Sequence, residues 1–157
     1  MDGLNIVCVD DKPEVVFKLL HDLSIFSDWI KVKQCFNADE AQAWLEKLDR
    51  KGEFVSVVIS DQNMPGKHGI DLLVWLSSDR RFRHTKTLML TNNPTMKVLL
   101  DAINKAHVDR FFVKPWDEEA LVNEVRILVT EYVFEKGLDY MPLRDKLDSD
   151  MILKYLY

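Results

Sequence analysis

Three aspartates, a threonine and a lysine stand at the ends of four short apolar runs. Asp10 and Asp11 follow "LNIVCV", Asp61 follows "FVSVVIS", Thr91 closes "TLMLT" and Lys114 follows "RFFV". Turn chemistry accounts for any one of them, because Asp is an ordinary turn former and Pro65 and Gly66 open a loop behind Asp61. It does not account for an acid-only cluster opposed by one lysine. Three carboxylates about 4 Å apart repel by roughly 4 kcal/mol per pair at an effective dielectric of ~20, so something positive must compensate. A divalent cation does this, and oxygen ligands without His or Cys favour Mg2+ over zinc. Asp11 and Asp61 suit direct coordination, and Asp10 coordination through a water. The hydroxyl and the ammonium then match a phosphoryl group, whose three anionic oxygens are taken by the cation, Lys114 and Thr91. On this reading Asp61 is a nucleophile that forms an acyl phosphate.

Such a cluster needs a scaffold that brings these run ends to one edge. The four runs read as strands, and "IKVKQCF", which alternates, reads as a fifth at an edge. Between them lie helical patterns with apolar residues three and four apart: Val15, Val16, Leu19, Leu20 and Leu23; Ala38, Ala41, Leu45 and Leu48; Leu72, Leu73 and Leu76; Met96, Leu99, Leu100 and Ile103. Each is expected to turn its stripe toward a sheet. Strand and helix alternate throughout, which predicts right-handed crossovers and a parallel sheet covered on both faces. The fold class is α/β, a three-layer doubly wound five-stranded sheet. In such a sheet ligands collect outside the carboxyl ends of the strands.

The end of the chain departs from this pattern. A helix from Asp117 to about Glu135 carries two stripes, one at Leu121, Val125, Leu128 and Tyr132 and another at Val122, Val129 and Val133. The second stripe implies deep burial or a partner surface. Gly137 reads as the helix stop, and "MPLRDKLDSDMILKYLY" reads as one more amphipathic helix with Leu143, Leu147, Met151 and Tyr155 at four-residue steps.

Bulk properties narrow the function classes. The 157 residues, 47% apolar and 30% charged, suit one domain with a short appendage, and the net charge of −5 argues against nucleic-acid binding by phosphate neutralisation. No basic segment leads into an apolar stretch, and no apolar run approaches the ~18 residues that span a bilayer, so a cytoplasmic protein without a membrane contact is expected. Cys8 and Cys35 lie inside strand-like runs without metal-site spacing and are expected to be buried free thiols.

Across about residues 3 to 133, "VDD", "ISDQNMPGKHGIDLL", "LMLTNN" and "FFVKPW" resemble the receiver domain of two-component response regulators, of the chemotaxis-regulator kind. The resemblance implies a flavodoxin-like sheet of order 2-1-3-4-5. It implies Asp61 as phosphoacceptor, Asp10 and Asp11 as the acid pair for Mg2+ and the backbone carbonyl of Asn63 as a further ligand. Thr91 and Lys114 then contact the phosphoryl group, the Lys114–Pro115 bond is cis, and Gly66 and Gly69 fit the loop. It also implies a switch in which Thr91 is drawn to the phosphoryl group and Phe111 turns inward. Phe111 replaces the Tyr often found there, and Asn92 is larger than the small residue usual after the threonine. The implied partners are a sensor histidine kinase or a histidine phosphotransfer protein, with a homodimer through the face of the fourth and fifth helices expected from the second stripe.

On these grounds residues 1–133 form the receiver and residues 134–157 a helical tail or a linker to an output domain. A regulatory phosphoacceptor, not an enzyme, is the expectation. Two other readings use the same residue types. A Mg-dependent phosphatase of the haloacid dehalogenase type places its nucleophile on the first strand in an Asp-x-Asp arrangement, whereas here the acids are adjacent in "DDKP" and no cap is inserted. A receiver-like binding module that is never phosphorylated has no need of all five polar positions.

Overall fold

A computed structural model describes residues 3–92 and 94–157; Asn93 of the "LMLTNN" motif lies outside the described residues. Five strands, β1 (Leu4–Val9), β2 (Lys31–Cys35), β3 (Phe54–Asp61), β4 (Lys86–Thr91) and β5 (Arg110–Val113), alternate with α1 (Pro13–Asp22), α2 (Ala38–Arg50), α3 (Gly69–Ser77) and α4 (Met96–Asn104), then α5 (Glu118–Lys136). All pairings are parallel, in the order β2-β1-β3-β4-β5. The alternating β2 is an edge strand, and β1 and β3 are buried almost throughout. Side-chain alternation divides the core in two: Ile6, Cys8, Val57, Ile59, Leu88 and Leu90 face α1 and α5, while Val7, Val9, Val58 and Met89 face α2, α3 and α4. Cys8 and Cys35 fall in opposite halves, both free and buried.

The helices start and stop where their caps dictate. Asn37, Thr95 and Asp117 each accept a backbone N–H from the first turn of α2, α4 and α5, and Gly137 ends α5 in the left-handed region at φ 78°. The predicted stripes of α2 and α3 are buried, as expected for helices that cover the sheet.

Three expectations are corrected. The first is the α4 stripe. Met96, Leu100 and Ile103 are exposed at 69%, 49% and 60%, and Leu99 is half-buried. The buried face of α4 carries Ala102, with Val98 half-buried and Ala106 just beyond the helix. Two apolar faces share the same period on this helix, and the small alanines let its backbone approach the sheet.

The second concerns the tail, which is not one helix. It forms a 3-10 turn (Met141–Leu143) and then α6 (Ser149–Leu156), whose N-terminus is capped by the Asp148 carboxylate. Its inner residues are Leu143, Leu147 and Ile152, with Met151 half-buried and Tyr155 at the rim, stacked on Phe134 with centroids 4.9 Å apart.

The third follows from it. The second stripe of α5 is not a free partner surface, because Val129 and Val133 are fully buried in the same cluster as the tail residues. Polar ties hold the cover in place: Arg126 donates to the carbonyl of Lys146 at 2.6 Å, and Thr130 Oγ1 accepts the N–H of Asp148 at 2.9 Å.

Candidate functional site

The carboxyl ends of β1, β3, β4 and β5 meet at one edge. Asp10, immediately after β1, donates its N–H to the Cys35 carbonyl of β2 and accepts the Lys12 N–H on Oδ1 at 2.9 Å. Asp61 is the last residue of β3, and Thr91 the last of β4, fully buried. The Lys114 N–H donates to the Thr91 carbonyl at 2.9 Å, so backbone pairing carries the lysine onto the cluster. Its ammonium lies 2.6 Å from Asp10 Oδ2 and 3.1 Å from Asp61 Oδ1. The Lys114–Pro115 bond is cis.

One carboxylate oxygen from each of Asp10, Asp11 and Asp61 lies within 4.8 Å of the others. Asp11 Oδ1 and Asp61 Oδ2 are buried and have no hydrogen-bond partner. Burial, then the neighbouring Asp10 charge, raises the Asp61 carboxyl above the ordinary aspartate value against the pull of Lys114. For Lys114, burial acts to lower the ammonium, but its bonds to Asp10 and Asp61 outweigh that and raise it. One ammonium shared between two aspartates, beside a third, leaves the site short of positive charge.

The loop after β3 is closed by its own backbone. Gln62 accepts the Gly69 N–H on its carbonyl and the Ile70 N–H on Oε1, the latter at 2.8 Å, and Gly66 takes φ 79°. Asn63 is exposed within this loop. Phe111, on β5, is half-buried and packs against the core half that faces α2, α3 and α4.

The family model described as "Response regulator receiver domain" matches residues 6–126, a span holding every one of these groups. The chain belongs to the response regulator receiver domain family. This receiver is 32% identical over 122 residues to the chemotaxis protein CheY-3 of Vibrio cholerae, covering 76% of this chain and 86% of that one. It is 29% identical over 136 residues to the chemotaxis protein CheY of Pseudomonas aeruginosa, covering 85% and 98%. The crystal structure of the signal receiver domain of an HD domain-containing protein from Pseudomonas fluorescens shares the fold with a TM-score of 0.76 at 24% identity, covering 87% and 94%. The receiver is accordingly a phosphoryl-accepting signalling domain of two-component systems, and regulatory in class. Among the described residues no helix is long and apolar enough to cross a membrane.

The structure brings together Asp10, Asp11, Asp61 and Lys114, and sets Thr91 beside them through its backbone. Sequence reasoning missed the anchor of the β5–α5 loop of this receiver. The Trp116 indole donates to Asp22 Oδ2 at 2.7 Å, and Lys18 donates to the same oxygen at 2.8 Å. "KPW" stood out as a motif, but its partner lies 94 residues away on α1, where no spacing signals it.

Proposed function

We propose that Asp61 is the phosphoacceptor of this receiver, taking a phosphoryl group from a phosphohistidine of a sensor histidine kinase or a histidine phosphotransfer protein. The observation that carries it is the divided environment of the Asp61 carboxylate: Oδ1 is held by Lys114, and Oδ2 is buried without a partner at a strand end. In the reaction the unpartnered oxygen attacks phosphorus, the P–N bond to the donor imidazole breaks, and the imidazole leaves with a proton from solvent. Lys114 neutralises one phosphoryl oxygen and the Thr91 hydroxyl donates to another, which stabilises the charge that the transferring group spreads over its oxygens.

Mg2+ fits the same residues, since the orphaned Oδ1 of Asp11 and the acid cluster around it answer the need of a hard cation for oxygen ligands. Asp11 and Asp61 would hold it directly, Asp10 through water, with the Asn63 carbonyl completing the protein ligands; bound there, it supplies positive charge for a phosphoryl oxygen. Apart from hydrolysing its own acyl phosphate slowly, the domain turns over no substrate. Phosphorylation draws Thr91 toward the new group, and Phe111 moves further into the space so vacated. Self-pairing through the face of the fourth and fifth helices uses the outward residues Met96, Leu100 and Ile103 with the exposed Val113 instead of the covered Val129 stripe. Residues 134–157 act as a packed tail that also leads toward any output domain.

Acetyl phosphate with Mg2+ tests this. Intact mass is expected to show one added, base-labile phosphoryl group, lost in Asp61→Asn and on chelation of Mg2+. Equal labelling of the wild type and Asp61→Asn overturns the assignment.

A further inference from the structure

The geometry points to a second cation site, of mixed imidazole and carboxylate donors, where the C-terminus of α1 meets the N-terminus of α5. His21 and Asp22 close α1 and Glu118 opens α5. One donor atom from each lies within 4.8 Å of the others. The three line a cleft of about 670 Å³ together with Ser24, Asp117 and Glu119.

The decisive group is Asp22. Its side chain is completely buried, yet it is an acid that lines the cleft. Lys18 and Trp116 both donate to Oδ2, which holds the carboxylate still and explains its burial as an anchor for the β5–α5 loop. That explanation leaves Oδ1 over: it is buried and has no hydrogen-bond partner. It also leaves unexplained why an exposed imidazole and an exposed carboxylate converge on the same point from two different helices.

A divalent transition ion of the Zn2+ class uses all three. Its preferred ligands are imidazole nitrogen and carboxylate oxygen, and three protein donors with one open position for water is a common arrangement. The Trp116 and Lys18 bonds do for Asp22 what outer partners do in metal sites, fixing the direction of the remaining oxygen. A cation at the start of α5 opposes the helix dipole, but Asp117, Glu118 and Glu119 place three acids there to offset it. The donor set differs in kind from the all-oxygen Asp10, Asp11 and Asp61 cluster, so the two sites select different ions. Trp116 follows Lys114 by two residues, so the bond that orients Asp22 comes from the loop that carries the phosphoryl-binding lysine.

Titration with ZnCl2 in a large excess of Mg2+, followed by calorimetry, tests the site. The wild type is expected to bind one Zn2+, with His21→Gln and Glu118→Gln each weakening binding at least about tenfold, and Trp116→Phe weakening it about tenfold through Asp22. Both first variants change exposed side chains, so circular dichroism should match the wild type. Asp11→Asn should bind Zn2+ as the wild type does. Imidazole NMR in the same titration should shift His21 ahead of His68, His84 and His107. Absence of saturable Zn2+ binding, wild-type affinity in both His21→Gln and Glu118→Gln, or a first shift at another histidine overturns the proposal.

Discussion

Gly69 packs its bare α-carbon against the backbone carbonyl of Asp61, so closely that a Cβ there would collide with the carbonyl oxygen and lie 2.9 Å from its carbon. The residue that starts α3 thus fixes the backbone of the strand end that presents the candidate phosphoacceptor. Ser60 completes the contact, with its hydroxyl donating to the same carbonyl at 2.9 Å.

Gly69→Ala is therefore expected to displace the β3 end or the start of α3. The neighbours are backbone, which does not give way cheaply, and overpacking of this kind costs about 1–3 kcal/mol. For a chain of this size that corresponds to a fall in Tm of at least ~2 °C, with slower labelling of Asp61 by acetyl phosphate. A variant with wild-type Tm and labelling rate would show that the contact relaxes freely.

Val129 tests the tail. It is fully buried in the core cluster that also holds Leu143, Leu147 and Ile152, so a charge there is cut off from water. Val129→Glu is expected to lower stability by more than about 3 kcal/mol. Ile152→Ala, nearer the rim, should cost about 2 kcal/mol. Urea denaturation followed by tryptophan fluorescence measures both. Wild-type midpoints would mean that the tail does not cover α5 in solution.

The two thiols give a pH prediction. Burial, and then the neighbouring Glu40 charge, pushes Cys35 from the ordinary 9.0 up to about 12, and burial moves Cys8 upward as well. The unfolded thiols lose their protons first. The stabilising contribution is therefore whole below pH 9.0 and is lost as pH rises toward 12. Stability of the wild type should fall across this window more steeply than that of Cys35→Ala. Near pH 8 the native thiols should resist alkylation, having on the order of 10³-fold less thiolate than a free cysteine. Rapid labelling of both thiols without denaturant would contradict their burial.

Much of this receiver is legible in one dimension. Parallel strands announce themselves by continuous apolar runs, and a parallel sheet must deliver its strand ends to one edge. Asp10, Asp11, Asp61, Thr91 and Lys114 could be grouped for that reason before any coordinates. Periodicity also sets the length of α5 and the stop at Gly137, because capping and spacing are local. What is not local had to come from the tertiary structure. A three-four repeat marks an apolar face but not which way it points, so Met96, Leu100 and Ile103 look in sequence like core and stand in solvent, while Ala102 is buried. A second stripe states that something must cover Val129 and Val133 without saying what; the chain's own tail does so, with the Arg126 and Thr130 bonds fixing its path. The buried Asp22, held by Lys18 four residues before it and Trp116 94 residues beyond, has no sequence signature, because its environment is assembled from elements that meet only when the sheet closes α5 against α1.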